Sequence, residues 1–205
     1  MAAMLTLALG ASAALAVPTL RGATGFILVP SAKLTQAASI FTREGKVATS
    51  GTQSFSAVEG GVLNENGKNF YNGKLQLLPD LTTEDEWIPG VAIGIRGLSS
   101  TNERRDYYAL VQKHFTFPDC TIVVGMNKEG SWKNGSWKTF YGVEVPLFMG
   151  ISVLADHEGQ TNRTNLGVRW VFMKTFAVYD YLEDARGKTN EPKRNIIGAC
   201  YQKHF

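Results

Sequence analysis

The sequence predicts an all-β protein, an antiparallel up-and-down transmembrane β-barrel of about 10–12 strands. Short runs of alternating apolar and polar residues recur from residue 36 onward, with almost no helical periodicity. The polar face of these runs is rich in Gly and Ser, which suits a narrow lumen better than a solvated sheet. The breaks between runs alternate between short and long, as do the periplasmic turns and extracellular loops of outer-membrane barrels.

The first 16 residues are expected to be a secretory signal peptide, followed by one barrel domain over residues 17–205. An apolar run gives way to small residues, and Ala14-Leu15-Ala16 fits an A-x-A cleavage site. The usual basic start is missing, since the first cationic side chain is Arg21. Residues 26–29 either join the barrel wall or tuck into the lumen.

Nine alternating runs are the clearest candidate strands. Counting all runs from residue 36 gives about 11 strands, or about 12 if residues 26–29 join the wall, and closed bacterial barrels favour even numbers. One break, residues 79–88, is long where a short turn is expected. The nine runs are residues 73–78, 91–98, 107–115, 120–127, 139–147, 150–156, 165–172, 176–182 and 195–205.

Four of the runs, residues 91–98, 139–147, 150–156 and 165–172, divide into an apolar face and a face of small, polar or charged residues. Alternation alone does not say which face is inside, because a soluble barrel shows the same pattern with the reverse sense. A soluble exported lipocalin-like barrel that binds a small apolar ligand is therefore the alternative. It requires Ile93, Val143 and Val168 to face inward.

Charged residues on the polar face are candidates for a lumen charge cluster. Isolated buried charges are very costly, so we interpret Glu144 and Asp156 as counter-ions for Arg96 and Arg169 that fill a narrow barrel. The other interpretation is a polar path or docking surface for an anionic or hydroxyl-rich glycan. The candidate cluster comprises Arg96, Glu144, Asp156 and Arg169, with Lys74 and Lys113.

No motif for catalysis, a metal or a cofactor is present, and the sequence predicts a non-enzymatic protein that needs neither. His114, His157 and His204 have no metal-ligand spacing, and there is no G-x-S-x-G elbow or phosphate loop. The net charge of +3 comes from scattered Lys and Arg, which predicts no nucleic-acid partner. Cys120 and Cys200 fit no metal spacing, and their pairing is left open.

Several segments in matching order resemble the YjbH-like outer-membrane proteins. ATGFILVPSAKL (residues 23–34) resembles the opening of that family, and PGVAIGIRGLSS followed by YYALVQKHF resembles one of its strand pairs. GVEVPLFMGISVLADHEGQTNRTNLGVRW resembles its Gly-Val-Glu hairpin and Asn-x-Gly strand, so the similarity covers residues 23–172.

The resemblance implies an outer-membrane β-barrel associated with exopolysaccharide production or export. The expected location is the outer membrane of a Gram-negative-type envelope. The implied partners are the lipid bilayer, polysaccharide and other secretion-system proteins. The family's larger members are much longer than this chain, and the family offers no catalytic residues to transfer.

Overall fold

The computed structural model has no helix in the residues that it describes, and its strands form a closed antiparallel barrel. It describes residues 17–19, 24–25, 30–34, 36–43, 45–82, 87–98, 105–130, 135–173, 175–187 and 193–203. The expected signal peptide and residues 26–29 lie outside these ranges. The strands in chain order are β1 (Val17–Pro18), β2 (Thr24–Gly25), β3 (Gln36–Arg43), β4 (Lys46–Phe55), β5 (Val58–Glu65), β6 (Lys68–Leu78), β7 (Leu81–Thr82), β8 (Trp87–Ile88), β9 (Gly90–Arg96), β10 (Asp106–Thr116), β11 (Asp119–Glu129), β12 (Lys138–Pro146), β13 (Ile151–Glu158), β14 (Arg163–Phe172), β15 (Phe176–Glu183) and β16 (Arg194–Lys203).

Twelve of these strands form the wall, which confirms the predicted fold class. Strands β3–β6 and β9–β16 pair with their neighbours in chain order, and β16 closes the barrel against β3. Residues 36–65 supply three wall strands, so the number twelve is reached without residues 26–29. β1 pairs with β2 and β7 pairs with β8 in two small separate sheets. In the described residues, no helix has the length and apolar character needed to cross a membrane.

The two ends of the barrel differ in their connections. At one end, here called the turn end, the connections between strands are short, and β3 begins there; these connections are residues 56–57, 117–118, 147–150 and 173–175. The one long break expected at this end is confirmed, because the connection formed by residues 79–89 has eleven residues and contains β7 and β8. At the other end, the loop end, residues 97–105, 130–137 and 184–193 are long.

Three loop-end connections are short, which the length pattern does not predict: residues 44–45, 66–67 and 159–162. Residues 44–45 and 66–67 join their strands in two residues each. Asn66 and Gly67 both have positive φ, of 54° and 74°, as a tight type I′ hairpin turn requires. The side of the loop-end rim that carries the two-residue connections 44–45 and 66–67 is called the low side here.

The polar face of the wall is inside. Arg96, Glu144 and Arg169 are buried, whereas Ile93 and Val168 are more than two-fifths exposed. In a closed barrel the side chains that alternate with exposed ones point into the lumen. This is the reverse of what the lipocalin-like alternative requires, so the structure does not support that alternative.

The lumen also contains a layer of large apolar and aromatic side chains, which the four sorted runs did not predict. Strands outside those runs supply most of it. Tyr179 and Tyr181 stack with ring centroids 4.6 Å apart. The buried members of the layer include Phe41, Leu63, Tyr108, Leu110, Val123, Phe140, Leu154, Tyr179, Tyr181 and Ile196.

Inward-facing glycines on neighbouring strands make room for these rings. A Cβ on Gly167 would collide with the ring of Tyr181, and one on Gly198 would collide with Tyr179. Gly94 and Gly125 stand in the same relation to Tyr108 and Phe140. Aromatic rings packed over strand glycines are a known device for holding curved sheets. The lumen is thus packed as a core.

The outer surface is apolar, and the apolar band is displaced toward the turn end. The wall strands have 7–11 residues, which at a tilt of about 40° gives a height of about 18–28 Å. An outer-membrane band is about 25 Å tall, so the band reaches the turns. Phe117 is 95% and Met149 84% exposed at turn tips. Many outward residues near the loop end are polar, with Val47 as an apolar exception; the polar ones include Thr42, Asn64, Thr139, Thr164 and Asn195.

We predict that Gly167→Ala destabilises the barrel by about 1–3 kcal/mol, because the added methyl overpacks the lumen against Tyr181. Gly60→Ala is the matched control, since a Cβ there meets nothing within 4 Å. Urea unfolding of the detergent-folded protein measures both. Equal stability of the two variants would contradict a packed lumen.

We also predict that the turn tips lie in the lipid interface. Spin labels are placed at Met149 and at Thr42 in a Cys120→Ala/Cys200→Ala background. Power-saturation measurements in liposomes should show that oxygen relaxes the Met149 label more than a water-soluble nickel chelate does, with the reverse at Thr42. A Met149 label relaxed mainly by the chelate would place the turn tips in water.

Candidate functional site: the lumen and its loop-end rim

All six predicted charged residues are buried, but the structure distributes them over separate contacts. Arg169 on β14 pairs with Glu144 on β12, as interpreted from the sequence. The two strands are not neighbours, and the bond passes over β13, where the small side chain of Ser152 faces inward. This pair therefore ties three consecutive strands together from the inside.

Arg96 has different counter-ions from those expected. It pairs with Asp106 on the adjacent strand β10, and its Nη2 lies 3.4 Å from Oε1 of Glu158 on β13. Asn127 donates to the other oxygen of Asp106 at 3.0 Å. Asp156 instead accepts a hydrogen bond from Nδ2 of Asn165 at 2.6 Å. The sequence therefore predicted inward-facing charges but not how they pair.

Lys74 holds the N-terminal segment inside the barrel. Its Nζ lies 3.1 Å from Oε1 of Glu59 and donates to the carbonyl oxygens of Ser31 and Lys33. The neighbouring inward residues add two bonds to the same segment. Gln76 donates to the carbonyl of Ala32 at 2.9 Å, and the N–H of Ala32 donates to Oε1 of Gln112 at 3.0 Å.

Residues 30–34 therefore occupy the turn end of the lumen. Pro30, Ser31 and Ala32 are buried there, and Ala32 is completely enclosed. Burial lowers the pKa of Lys33, and the nearby carboxylates of Glu144 and Asp80 oppose that shift. Bound by side chains from two wall strands, β6 and β10, the segment acts as a plug.

Lys113 does not join the lumen charges. The inward series on β10 is Asp106, Tyr108, Leu110 and Gln112, and Lys113 points to the opposite side of the strand. It is buried because the β7–β8 hairpin covers it. Its Nζ lies 3.2 Å from Oδ1 of Asp80, donates to the carbonyl of Leu81 at 2.7 Å and sits 5.1 Å from the Trp87 ring. The expectation failed here because the long turn folds back onto the wall.

A second charge network, which the sequence reading missed, lies at the loop-end rim. Glu183 is almost fully buried and receives three guanidinium groups. Arg43 Nη2 is 2.6 Å from its Oε1, Arg163 Nη1 is 3.3 Å from the same oxygen, and Arg194 Nη1 is 3.9 Å from Oε2. Arg43 Nη1 also lies 3.3 Å from Oε1 of Glu65. We call these five residues the rim network.

The rim network has a signal in the sequence, although a weak one. Each member is the first or last residue of its strand and has the inward parity. Arg43 ends β3, and Arg163 begins β14. Strand boundaries are the least reliable part of a sequence-based assignment, so the convergence of these residues becomes visible only in the closed barrel.

Each histidine in the described ranges contacts a threonine on the next strand. His157 Nδ1 lies 3.0 Å from the Thr164 hydroxyl, and its ring stacks on Tyr141. His114 contacts Thr121 at 3.1 Å, and His204 lies outside the described residues. Cys120 and Cys200 are both free. Within the described ranges, no three His, Cys, Asp or Glu residues are grouped to hold a metal ion.

Two solved structures share this architecture. A structure titled "KdgM porin" matches with a TM-score of 0.59 and 9% identity, covering 83% of this chain and all of that one. A structure titled "NanC porin" matches with a TM-score of 0.53 and 10% identity, covering 82% of this chain and all of the other. No protein-family model and no curated protein matches the sequence.

At this identity the likeness establishes the fold. The chain is a twelve-stranded β-barrel of the outer-membrane type, with a lipid bilayer as the environment that its apolar exterior suits. The predicted outer-membrane location agrees with this architecture. The comparisons do not reproduce the resemblance to the YjbH-like family, which stays a prediction.

We predict that Arg169→Ala and Glu144→Ala each destabilise the barrel by about 3–5 kcal/mol, because each leaves an uncompensated buried charge. The double variant should be less destabilised than the sum of the two. Unfolding in urea gives the coupling energy. Asn195→Ala, on the outside of β16, combined with Arg169→Ala is the additive control. Strict additivity for the Arg169–Glu144 pair would contradict the pairing.

Proposed function

We propose that this chain is a non-enzymatic outer-membrane barrel that assists exopolysaccharide production or secretion through partner proteins, without being the conduit for the polymer. The observation that carries the proposal is the filled lumen. Residues 30–34 plug its turn end, and ion pairs and aromatic rings fill its interior. A polymer has no path through such a barrel.

Barrel size leaves the width of the lumen to its side chains. Interiors of about eight strands are just filled by side chains, and aqueous channels appear at about 16–18 strands. Twelve strands lie between these limits, and here large side chains take up the interior. A role in secretion would therefore be carried by the ends of the barrel, where loops and turns are available to other proteins and to glycan.

The link to exopolysaccharide comes from the sequence. The segments between residues 23 and 172 that resemble YjbH-like proteins support it, and residues 1–16 would direct the chain across the inner membrane. Inward-facing charge pairs support a structural role for Arg96, Glu144 and Arg169 over a catalytic one, and the bond from Asn165 supports the same role for Asp156.

A second candidate is a channel for small solutes. It is favoured by the similarity to two structures titled as porins. For conduction, residues 30–34 would have to leave the lumen, breaking the bonds to Lys74, Gln76 and Gln112. The two candidates therefore differ in what the intact barrel conducts.

The test has two parts. In planar bilayers the purified full chain should give no steady conductance, whereas a small-solute channel gives stable steps. The Lys74→Gln/Gln112→Ala variant should raise conductance if the plug closes the lumen, and Asn64→Ala, on the outer surface, is the control. In cells, deletion of the protein should reduce exopolysaccharide release, and re-expression should restore it. Unchanged release would overturn the proposed function.

A further inference from the structure

We infer that the low side of the loop-end rim binds the anionic group, a carboxylate or a phosphate, of an acidic glycan. The inference rests on the proposed function and names the class of glycan involved. The site is a pocket of about 210 Å³ beside the rim network. Its lining residues include Arg43, Lys46, Glu65, Asn66 and Arg194.

The charge of the site favours an anion. In the described part of the rim, Arg43, Lys46, Arg163 and Arg194 face only Glu65 and Glu183 in the network and the pocket, an excess of two positive charges. Opposite charges elsewhere in the barrel are more evenly matched, as in the Arg169–Glu144 pair. Guanidinium groups bind carboxylates and phosphates through paired N–H donors, which makes them suited to this ligand.

The donors of the site are not used up by its carboxylates. Arg43 contacts Glu183 and Glu65 through its Nη atoms, and its Nε is buried without a hydrogen-bond partner among the described residues. Lys46 is exposed in the pocket, and within the described ranges it takes part in no ion pair. An anion seated in the pocket would meet both cations.

The shape of the rim leaves this side accessible. The connections 44–45 and 66–67 beside the pocket have two residues each, and the longer connection 184–193 leads into Arg194 on its other flank. Across the barrel, residues 97–105 and 130–137 make longer connections, and the inward charge of Arg96 is neutralised by Asp106 and Glu158. A glycan approaching this side of the mouth would therefore meet the excess positive charge of the rim network and Lys46.

The chain offers a matched control for a test. Lys46 is the first residue of β4, and Lys138 is the first residue of β12, which lies six strands away on either path around the barrel. Both are exposed and have inward parity at the loop end. Lys46→Gln and Lys138→Gln therefore remove the same charge at the same height, and only the first touches the pocket.

Calorimetric titration of the full chain in detergent, with glucuronate, glucose and inorganic phosphate as probes, tests the inference. Glucuronate should bind with an affinity that falls as salt rises, and glucose should not bind. Lys46→Gln should weaken glucuronate binding up to about fivefold and Arg43→Gln about tenfold. Lys138→Gln should leave it unchanged. A heat-modifiable gel shift checks that each variant is folded.

Equal binding of glucose and glucuronate, or equal losses in Lys46→Gln and Lys138→Gln, would overturn the inference. Binding of phosphate without glucuronate would assign the site to phosphate-bearing ligands and overturn a carboxylate sugar as its occupant. These results are separable from the proposed function. A loss of exopolysaccharide release on deletion together with no anion binding removes only the site, and anion binding with unchanged release removes only the role in export.

Discussion

The neutralisation of charge inside the barrel is the constraint on which the rest of the structure depends. A barrel with lipid on its outside has no solvent around the wall in which to place Arg169 or Arg96, and an unpaired charge in such a place is very costly. Glu144 pairs with Arg169 across β13, and Asp106 and Glu158 pair with Arg96. Because these partners sit on different strands, the pairs also oppose slippage of one strand past the next.

Because the charged side chains are paired inside the barrel, the outer face can carry apolar residues and the lumen can be packed as a core. The lumen is tightly packed where Tyr181 lies over Gly167 and Tyr179 lies over Gly198, because neither glycine leaves space for a methyl group. The plug completes this closure at the turn end through Lys74 and Gln112. A barrel closed in this way can contact molecules outside the bilayer only through its two ends. At the loop-end rim, the rim network and Lys46 carry an excess of positive charge.

The alternation of the wall strands could be predicted from the sequence, because it is a local property. Val143 outward and Glu144 inward follow from the two-residue period alone once one face is assigned to lipid. The pairing of Arg96 with Glu158 could not be predicted, because it depends on the stagger of the closed barrel. The prediction that Lys113 lies in the lumen was wrong because β7 and β8 cover the outer side of its strand and bury the side chain there. The rim network joins residues from 43 to 194 and exists only after closure.

The assignment of the two faces is the central claim, and lipid contact tests it most directly. In nanodiscs with methyl-labelled protein, nuclear Overhauser contacts from lipid acyl chains should reach the methyl groups of Ile93, Val143 and Val168. The methyl groups of Val123, Leu154 and Ile196, which are buried in the lumen, should show none. Acyl-chain contacts to the second group and none to the first would reverse the faces and contradict the account.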